Sequence, residues 1–360
     1  MKKSYGIIIP TVILTLFGLL MVYSSSYVWS EYKFNDSLHF LRHQSIFVVL
    51  GFIGMYILSK IDYKIYYKKA NLILLVCFLL LGLVLIPGIG VIRNGSRSWF
   101  GVGSFGIQPS EFAKIGLIIF TAKYLSNNVK EMSDFKKGAF PILFVILIFF
   151  ALIMLEPDFG TGMVIVATLV GMIYASNIKL NFFAYTGLLG LIGMALLIIA
   201  APYRIARIVS FLNPWSDPLG SGFQIIQSLY AIGPGGLFGL GLGNSIQKHF
   251  YLPEPQTDFI FAIISEEFGF LSILILASLY LYLFYKVLKI SINIDDLFGK
   301  YLAFGLIFGI TFQTALNIAV VIGLLPVTGI TLPFFSYGGS SLLVSLGSIG
   351  IILNIAKNVK

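Results

Sequence analysis

Uncharged apolar stretches dominate this chain of 360 residues and restrict what it can fold into. Several stretches run for 18 residues or more without an Asp, Glu, Lys, Arg or His, among them residues 138–155, 159–178, 180–203 and 268–285. Residues 301–356 also contain none of these side chains. A helix needs about 20 mostly apolar residues to cross a bilayer. Only 11% of the residues are charged, against about 25% in soluble domains, so the composition excludes a water-soluble fold.

The apolar stretches predict an all-α, polytopic membrane protein with ten transmembrane helices. Strands of a membrane barrel would be shorter and would alternate in polarity, which these stretches do not. The segment PVTGITLPFFSYGG divides the last long run into two spans. We expect residues 1–360 to form a single integral membrane domain. The predicted spans are residues 6–24, 44–59, 70–87, 112–126, 140–156, 159–177, 181–201, 259–285, 301–325 and 339–356.

The distribution of basic residues predicts the orientation of these spans. Lysine and arginine are enriched in the short cytoplasmic loops of membrane proteins. Most lysines fall on the inner side if the N-terminus is inside, so we expect both termini to be cytoplasmic. The long loop between predicted helices 7 and 8, residues 202–258, then faces outward. The net charge of +9 reflects lysines near anionic lipid rather than nucleic-acid binding.

The arginines carry a separate signal, because all of them fall in predicted outer segments. Guanidinium groups are preferred where a phosphate or carboxylate must be gripped at two points. We therefore predict an anionic ligand at the outer face. The alternative is that these arginines pair with lipid headgroups or with Asp217 and Glu254. The arginines are Arg42, Arg93, Arg97, Arg204 and Arg207.

The outer loop is where we predict the chemistry. It contains six glycines between residues 233 and 243, a backbone able to approach a ligand closely. It ends at Asp258, where the next apolar helix begins. A carboxylate at a helix N-terminus is favoured by the helix dipole, and it would be ionised and able to accept a proton. The alternative role for Asp258 is that of a plain helix cap.

Three further groups of residues are candidates for a site or for its support. Glu111 and Lys114 are spaced to form an ion pair on one helix face, although Lys114 could instead reach Glu266 or Glu267 in another span. We favour a structural ion pair that involves Glu111, Lys114 and Glu266 and holds helices together, over direct contact with a substrate. Trp99 lies beside Arg93 and Arg97 and is either a platform for a sugar or lipid or an interfacial belt residue. Glu156 and Asp158 are expected to form a polar cap on the outer rim.

Several motifs of the chain together resemble a known family. They are RNGSRSW, QPSEFAK, LEPDFGTG, FLNPWSDPLGSGFQIIQ, LGNSIQKHFYLPEPQTDFIFA and PVTGITLPFFSYGGSS. Their order and spacing, over nearly the whole chain, resemble the bacterial shape, elongation, division and sporulation family. The runs NPWSDP and LGNSIQK resemble the FtsW/SpoVE branch more than RodA.

This resemblance implies a peptidoglycan glycosyltransferase that polymerises lipid II outside the cytoplasmic membrane. It also implies a class B penicillin-binding protein as partner, besides other division or elongation membrane proteins. The family's essential aspartate corresponds to Asp258, its loop tryptophan to Trp99, and its buried pair to Glu111 and Lys114. We expect Asp258 to act as general base on a sugar hydroxyl. The expected substrate-binding residues are Arg93, Arg97, Trp99, Arg204, Arg207, Gln227, Lys248 and Glu254.

Two other functions stay open from the sequence. A flippase for lipid-linked oligosaccharides would use Lys114, Glu266 and Glu267 to line a path, and a scaffold would only recruit the transpeptidase. A flippase needs a polar route to the inner face, yet the last two predicted spans contain no charged residue. A scaffold would not require an acid at the mouth of a glycine-rich loop. The three histidines are scattered, so no metal-binding spacing is present. Whether a divalent cation, Mg²⁺ or Mn²⁺, assists at the pyrophosphate is also open.

Overall fold

A computed structural model describes residues 2–93, 95–102, 105–176, 178, 180–199 and 202–359. Each of the ten predicted spans corresponds to a helix, although residues 200 and 201 of the seventh lie outside the described residues. Long apolar runs form helices because only a helix satisfies its own backbone hydrogen bonds in lipid. The helices are α1 (Lys2–Phe34), α2 (His39–Lys60), α3 (Lys64–Val84), α4 (Pro109–Asn127), α5 (Phe140–Leu155), α6 (Phe159–Tyr174), α7 (Leu180–Ile199), α8 (Pro202–Leu212), α9 (Phe223–Ile232), α10 (Ile260–Asn293), α11 (Leu297–Val321) and α12 (Gly339–Lys357).

Seven helices in the described part of the chain are long and apolar enough to cross a membrane. They are α1, α2, α3, α5 with its preceding turn, α10, α11 and α12. The apolar helix α6 is shorter, and the apolar segment Thr186–Leu196 within α7 is shorter still. The protein is therefore a helical, multi-pass membrane protein, while the count of ten crossings stays a prediction.

The helix α12 is the most enclosed of the candidate spans, because 89% of its apolar stretch of 18 residues is buried. It therefore lies at the centre of the bundle. It packs closely on α2 through glycines. A Cβ atom on Gly51 would lie 2.5 Å from the Leu346 side chain, and one on Gly350 would lie 2.6 Å from the Met55 carbonyl oxygen. Small residues allow membrane helices to approach in this way.

The structure contains one feature that the sequence did not predict. Between α3 and α4 the chain forms a three-stranded antiparallel sheet, in the order β1 (Val91–Arg93), β2 (Ser96–Val102) and β3 (Phe105–Ile107). The all-α prediction therefore holds for the bundle and misses this sheet. The sheet carries three of the predicted binding residues on adjacent strands, Arg93 on β1 and Arg97 and Trp99 on β2.

The segment between α11 and α12, residues 322–338, has no helix and lies against several spans. The predicted break after residue 325 is therefore present. Side chains of three helices bind its backbone carbonyl groups. Gln313 donates to Thr331 at 3.0 Å, Gln44 donates to Ser336 at 3.1 Å, and the Tyr280 hydroxyl donates to Pro333.

Candidate active site

Asp258 lies at the mouth of the bundle, immediately before α10. The N-cap of α10 is Phe259, and the hydroxyl of Thr257 donates to the Asp258 carboxylate at 2.9 Å. The backbone carbonyl of Asp258 accepts a hydrogen bond from Asn317 of α11 at 2.8 Å. The described contacts therefore join the carboxylate to Thr257 rather than to the helix as a cap. Asp258 keeps part of its surface exposed.

The surroundings of Asp258 make its carboxylate more basic than an exposed one. Burial among protein atoms is the main cause and raises the pKa of Asp258 to about 6. The hydrogen bond from Thr257 acts in the opposite direction, the charge of Glu254 raises the pKa further, and Arg207 lowers it. At pH 7 the carboxylate is mostly ionised and can accept a proton. General bases work best with a pKa near the working pH.

Two arginines of α8 approach this mouth from one side. The Arg207 guanidinium donates to the backbone carbonyl of Val327 at 3.0 Å, and its charge acts on Asp258. The guanidinium carbon of Arg204 lies 5.7 Å from the centre of the Phe159 ring, at the start of α6. The helix α8 thus places Arg207 beside the acid and the segment before α12, and Arg204 beside the start of α6.

The small sheet approaches the same mouth from another side. The Arg93 guanidinium stacks over Trp99, with 5.1 Å between its central carbon and the ring centre. Arg93 is also close to Tyr337: burial raises the pKa of the Tyr337 phenol, and the positive charge of Arg93 partly offsets this. The Tyr337 backbone N–H in turn donates to the carbonyl of Gln256 at 2.8 Å, two residues before Asp258. Arg97 lies on the same strand as Trp99 and is half-buried.

Glu254 and Gln227 differ in how they relate to Asp258. Glu254 has a φ of 45°, and its carbonyl oxygen accepts a hydrogen bond from the Thr257 hydroxyl at 2.7 Å. It is exposed and close enough for its charge to act on Asp258. Gln227 lies on α9, and no described contact joins it to Asp258.

Lys248 is not available for the role that the sequence suggested. Its side chain is fully buried, and its ammonium group donates to Glu267 at 2.7 Å. A buried cation with a carboxylate partner cannot reach a pyrophosphate at the surface. The prediction that Lys248 binds the substrate is therefore corrected.

The predicted ion pair within α4 is present. The Lys114 ammonium lies 2.9 Å from the Glu111 carboxylate, and both side chains are buried. Lys114 also donates to Gln313 of α11 at 2.6 Å. Glu266 does not join this group, contrary to the alternative considered from the sequence. Its carboxylate instead accepts hydrogen bonds from the Ser245 hydroxyl and from the N–H of Ile246.

Glu156 and Asp158 have different roles, although the sequence grouped them. Asp158 is the N-cap of α6 and accepts hydrogen bonds from the Thr161 N–H at 3.1 Å and from Gln108 at 2.8 Å. Glu156 is fully buried, and neither of its carboxylate oxygens has a partner among the described residues. Glu156 is therefore enclosed at the end of α5, rather than exposed on the rim as the sequence suggested.

The residues that hold Asp258 in place were not predicted from the sequence. Asn317 is one, and its signal was available, since it is an amide within a span that has no charged side chain. Thr257 is adjacent to the acid and was passed over as part of the loop. Within the described residues no group of three His, Cys, Asp or Glu side chains could hold a metal ion. A role for Mg²⁺ or Mn²⁺ stays a prediction.

Comparisons with known proteins give the family. The family model for FtsW, RodA and SpoVE, described as "Cell cycle protein", matches residues 5–360. Stage V sporulation protein E of Bacillus subtilis (strain 168) is 52% identical over 351 residues, covering 98% of this chain and 96% of that protein. A probable peptidoglycan glycosyltransferase FtsW of Geobacter sp. (strain M18) is 42% identical over 354 residues, with coverage of 98% and 96%.

Two solved structures have the same fold. One is described as the structural coordination of polymerization and crosslinking by a peptidoglycan synthase complex. It matches with a TM-score of 0.79 and 29% identity, over 98% of this chain and 97% of the other. The other is the rod shape determining protein RodA of Thermus thermophilus, with a TM-score of 0.73 and 25% identity over 99% and 97%. This protein therefore belongs to the FtsW, RodA and SpoVE family of cell cycle proteins, in its FtsW/SpoVE branch.

Proposed function

We propose that this protein is a peptidoglycan glycosyltransferase that polymerises lipid II into glycan strands at the outer face of the cytoplasmic membrane. The names of its relatives place the process in cell division or sporulation. In this proposal both termini are cytoplasmic and the mouth that carries Asp258 opens outward. The observation that carries the proposal is a crowded, partly exposed carboxylate with a pKa of about 6, beside Arg207.

Asp258 acts as the general base in this reaction. Its carboxylate takes the proton from the 4-hydroxyl of the acceptor sugar, and the hydroxyl oxygen forms a bond to the anomeric carbon of the donor. The bond from that carbon to the pyrophosphate oxygen breaks, and the pyrophosphate leaves with the electron pair. Attack opposite the leaving group inverts the anomeric carbon. General base catalysis typically contributes about 10²–10⁴-fold.

Positive charge at the mouth stabilises the leaving group. Arg207 acts on Asp258 and Arg204 lies one turn before Arg207 on α8, and fixed cations there stabilise charge that develops in the transition state. Arg93 and Trp99 form a stacked pair that fits the sugar and phosphate of a second substrate molecule. Arg97, Gln227 and Glu254 complete the proposed substrate contacts. Any Mg²⁺ or Mn²⁺ would add positive charge at the pyrophosphate.

The proposed partner is a class B penicillin-binding protein, which would crosslink the new strands. The similarity to a chain of a peptidoglycan synthase complex supports this assignment, because that complex couples polymerization to crosslinking. Other membrane proteins of division or elongation are further candidate partners.

One assay separates this function from its alternatives. The protein is reconstituted in vesicles with its partner and given fluorescent lipid II, and glycan products and leaflet distribution are both measured. We expect ladders of glycan products. Transfer of lipid II between leaflets without polymer would favour a flippase. The absence of both polymer and transfer would favour a scaffold.

A further inference from the structure

The glycine-rich loop, residues 233–248, packs against a break in α10. The helix is interrupted at Gly269, which has φ 68° and ψ −170°. The loop fills the interruption, and a Cβ atom on Gly269 would lie 2.4 Å from the Gly239 nitrogen. Backbone groups on both sides of the break bind the loop. The Leu240 and Gly241 N–H groups donate to the backbone carbonyls of Glu266 and Glu267, each at 2.9 Å. The Phe270 N–H donates to the backbone carbonyl of Gly236 at 2.9 Å.

Two carboxylates beside the break hold the end of the loop. Glu266 accepts hydrogen bonds from the Ser245 hydroxyl and from the N–H of Ile246 at 2.8 Å. Glu267 accepts from the Lys248 ammonium at 2.7 Å. Both carboxylates are fully buried. A buried carboxylate is costly unless it has such partners, so these side chains select one position of the loop.

The Lys248–Glu267 pair also binds α1. The hydroxyl of Ser24 donates to the second oxygen of Glu267 at 2.6 Å. The Lys248 ammonium lies 4.9 Å from the centre of the Tyr27 ring, on the next turn of α1. Because the pair is fully buried, removing one partner leaves an uncompensated charge in the bundle, whereas neutralising both does not.

The Lys248–Glu267 ion pair joins the two ends of the chain segment that carries the proposed base. Asp258 lies near the middle of residues 248–267, whose two ends meet at Lys248 and Glu267. Any shift of Lys248 therefore moves the start of the segment that leads to Asp258. A misplacement of about 1 Å at a reacting group can reduce a rate by about 100-fold.

We propose that Lys248 is a positioning residue that fixes Asp258 through its ion pair with Glu267 and does not contact substrate. This inference rests on the proposed function, since it assigns the residues that prepare the base for the transfer. It predicts that the charges at positions 248 and 267 matter as a pair and not individually.

The first test compares Lys248→Met, Glu267→Gln and the double variant in the polymerisation assay with the partner protein. We expect each single variant to lose about tenfold or more in kcat with little change in KM for lipid II. The double variant should recover most of this loss, because neither buried charge is then unpaired. If Lys248 binds the pyrophosphate, the double variant will stay as impaired as Lys248→Met, and the proposal is overturned.

The second test does not depend on activity. Amide hydrogen exchange of residues 240–247 is measured in the full-length protein for wild type and Lys248→Met, with Lys289→Met as matched control on an exposed lysine of α10. We expect exchange in the loop to rise about tenfold or more only for Lys248→Met. Unchanged exchange would overturn the proposal. If wild type makes no polymer, the proposed function fails, while exchange still decides whether the pair holds the loop.

Discussion

At the scale of single residues, the chemistry of the site depends on how Asp258 is surrounded. Its position at the end of the loop and its ionised state were predictable from the sequence. The burial that mainly raises its pKa and the approach of Arg207 were not, because both arise only in the folded bundle. The same holds for Asn317, which binds the Asp258 carbonyl from a distant part of the chain. The same limit explains why Lys248 was predicted to bind the substrate. A lysine in a polar loop resembles an anion ligand until its buried partner, Glu267, is known.

The hydrogen bond from Thr257 gives a prediction at this scale. That bond lowers the pKa of Asp258, so Thr257→Val should raise it. The base then loses its proton at higher pH, and the acid limb of the polymerisation rate should move to higher pH. At pH 8 the rate should stay within about threefold of wild type, because the carboxylate is ionised in both proteins.

The control for this variant is Thr311→Val, whose hydroxyl bonds only within α11 to Ile307. Its pH profile should match that of wild type. An acid limb that stays in place in Thr257→Val, or that moves to lower pH, would contradict the account.

At the scale of elements, the sequence predicted the helices well and their interruptions poorly. Long apolar runs determine where helices lie, since lipid leaves the backbone no other partner. The predicted eighth span crosses Gly269 without a break, because an isolated glycine in an apolar helix is compatible with a continuous helix. The break depends on a loop some 30 residues earlier in the chain. The sheet was missed because its strands β1 and β3 have three residues each, too few for a pattern.

The break predicts different effects for two glycine substitutions. Gly269→Ala places a side chain at a positive φ and within 2.4 Å of the Gly239 nitrogen, so we expect it to destabilise the protein by about 1–3 kcal/mol. Gly82 lies in α3 with nothing within 4 Å of an added Cβ. Gly82→Ala should be neutral or stabilising by up to about 1 kcal/mol. Thermal unfolding in detergent measures both, and equal midpoints for the two variants would contradict the role of the break.

At the scale of the whole molecule, the predicted outer segments meet at one end of the bundle. Contacts join the sheet to Tyr337, Tyr337 to Gln256, and Arg207 to Val327. Trp29, near the end of α1, packs on Phe250 of the long loop. Segments that the charge pattern assigned to one side are therefore neighbours in space. Which side of the membrane they face stays a prediction.

Cysteine labelling tests that orientation. The chain has one cysteine, Cys77, which is buried, so Cys77→Ala gives a simple background. Ser216→Cys lies at the Asp258 end and Ser133→Cys lies beyond the far end of α4, and both serines are exposed. A membrane-impermeant maleimide should label position 216 in intact cells and position 133 only after lysis. The reverse pattern would place Asp258 on the cytoplasmic side.

The central claim is that Asp258 is the base for glycan polymerisation, and the rate of polymerisation against pH tests it most directly. Wild type should lose activity as pH falls through about 6, where the Asp258 carboxylate gains a proton. Asp258→Asn should be slower by about 10²–10⁴-fold at pH 7.5 while unfolding at the same temperature. An Asp258→Asn protein that polymerises lipid II at the wild-type rate would contradict the account.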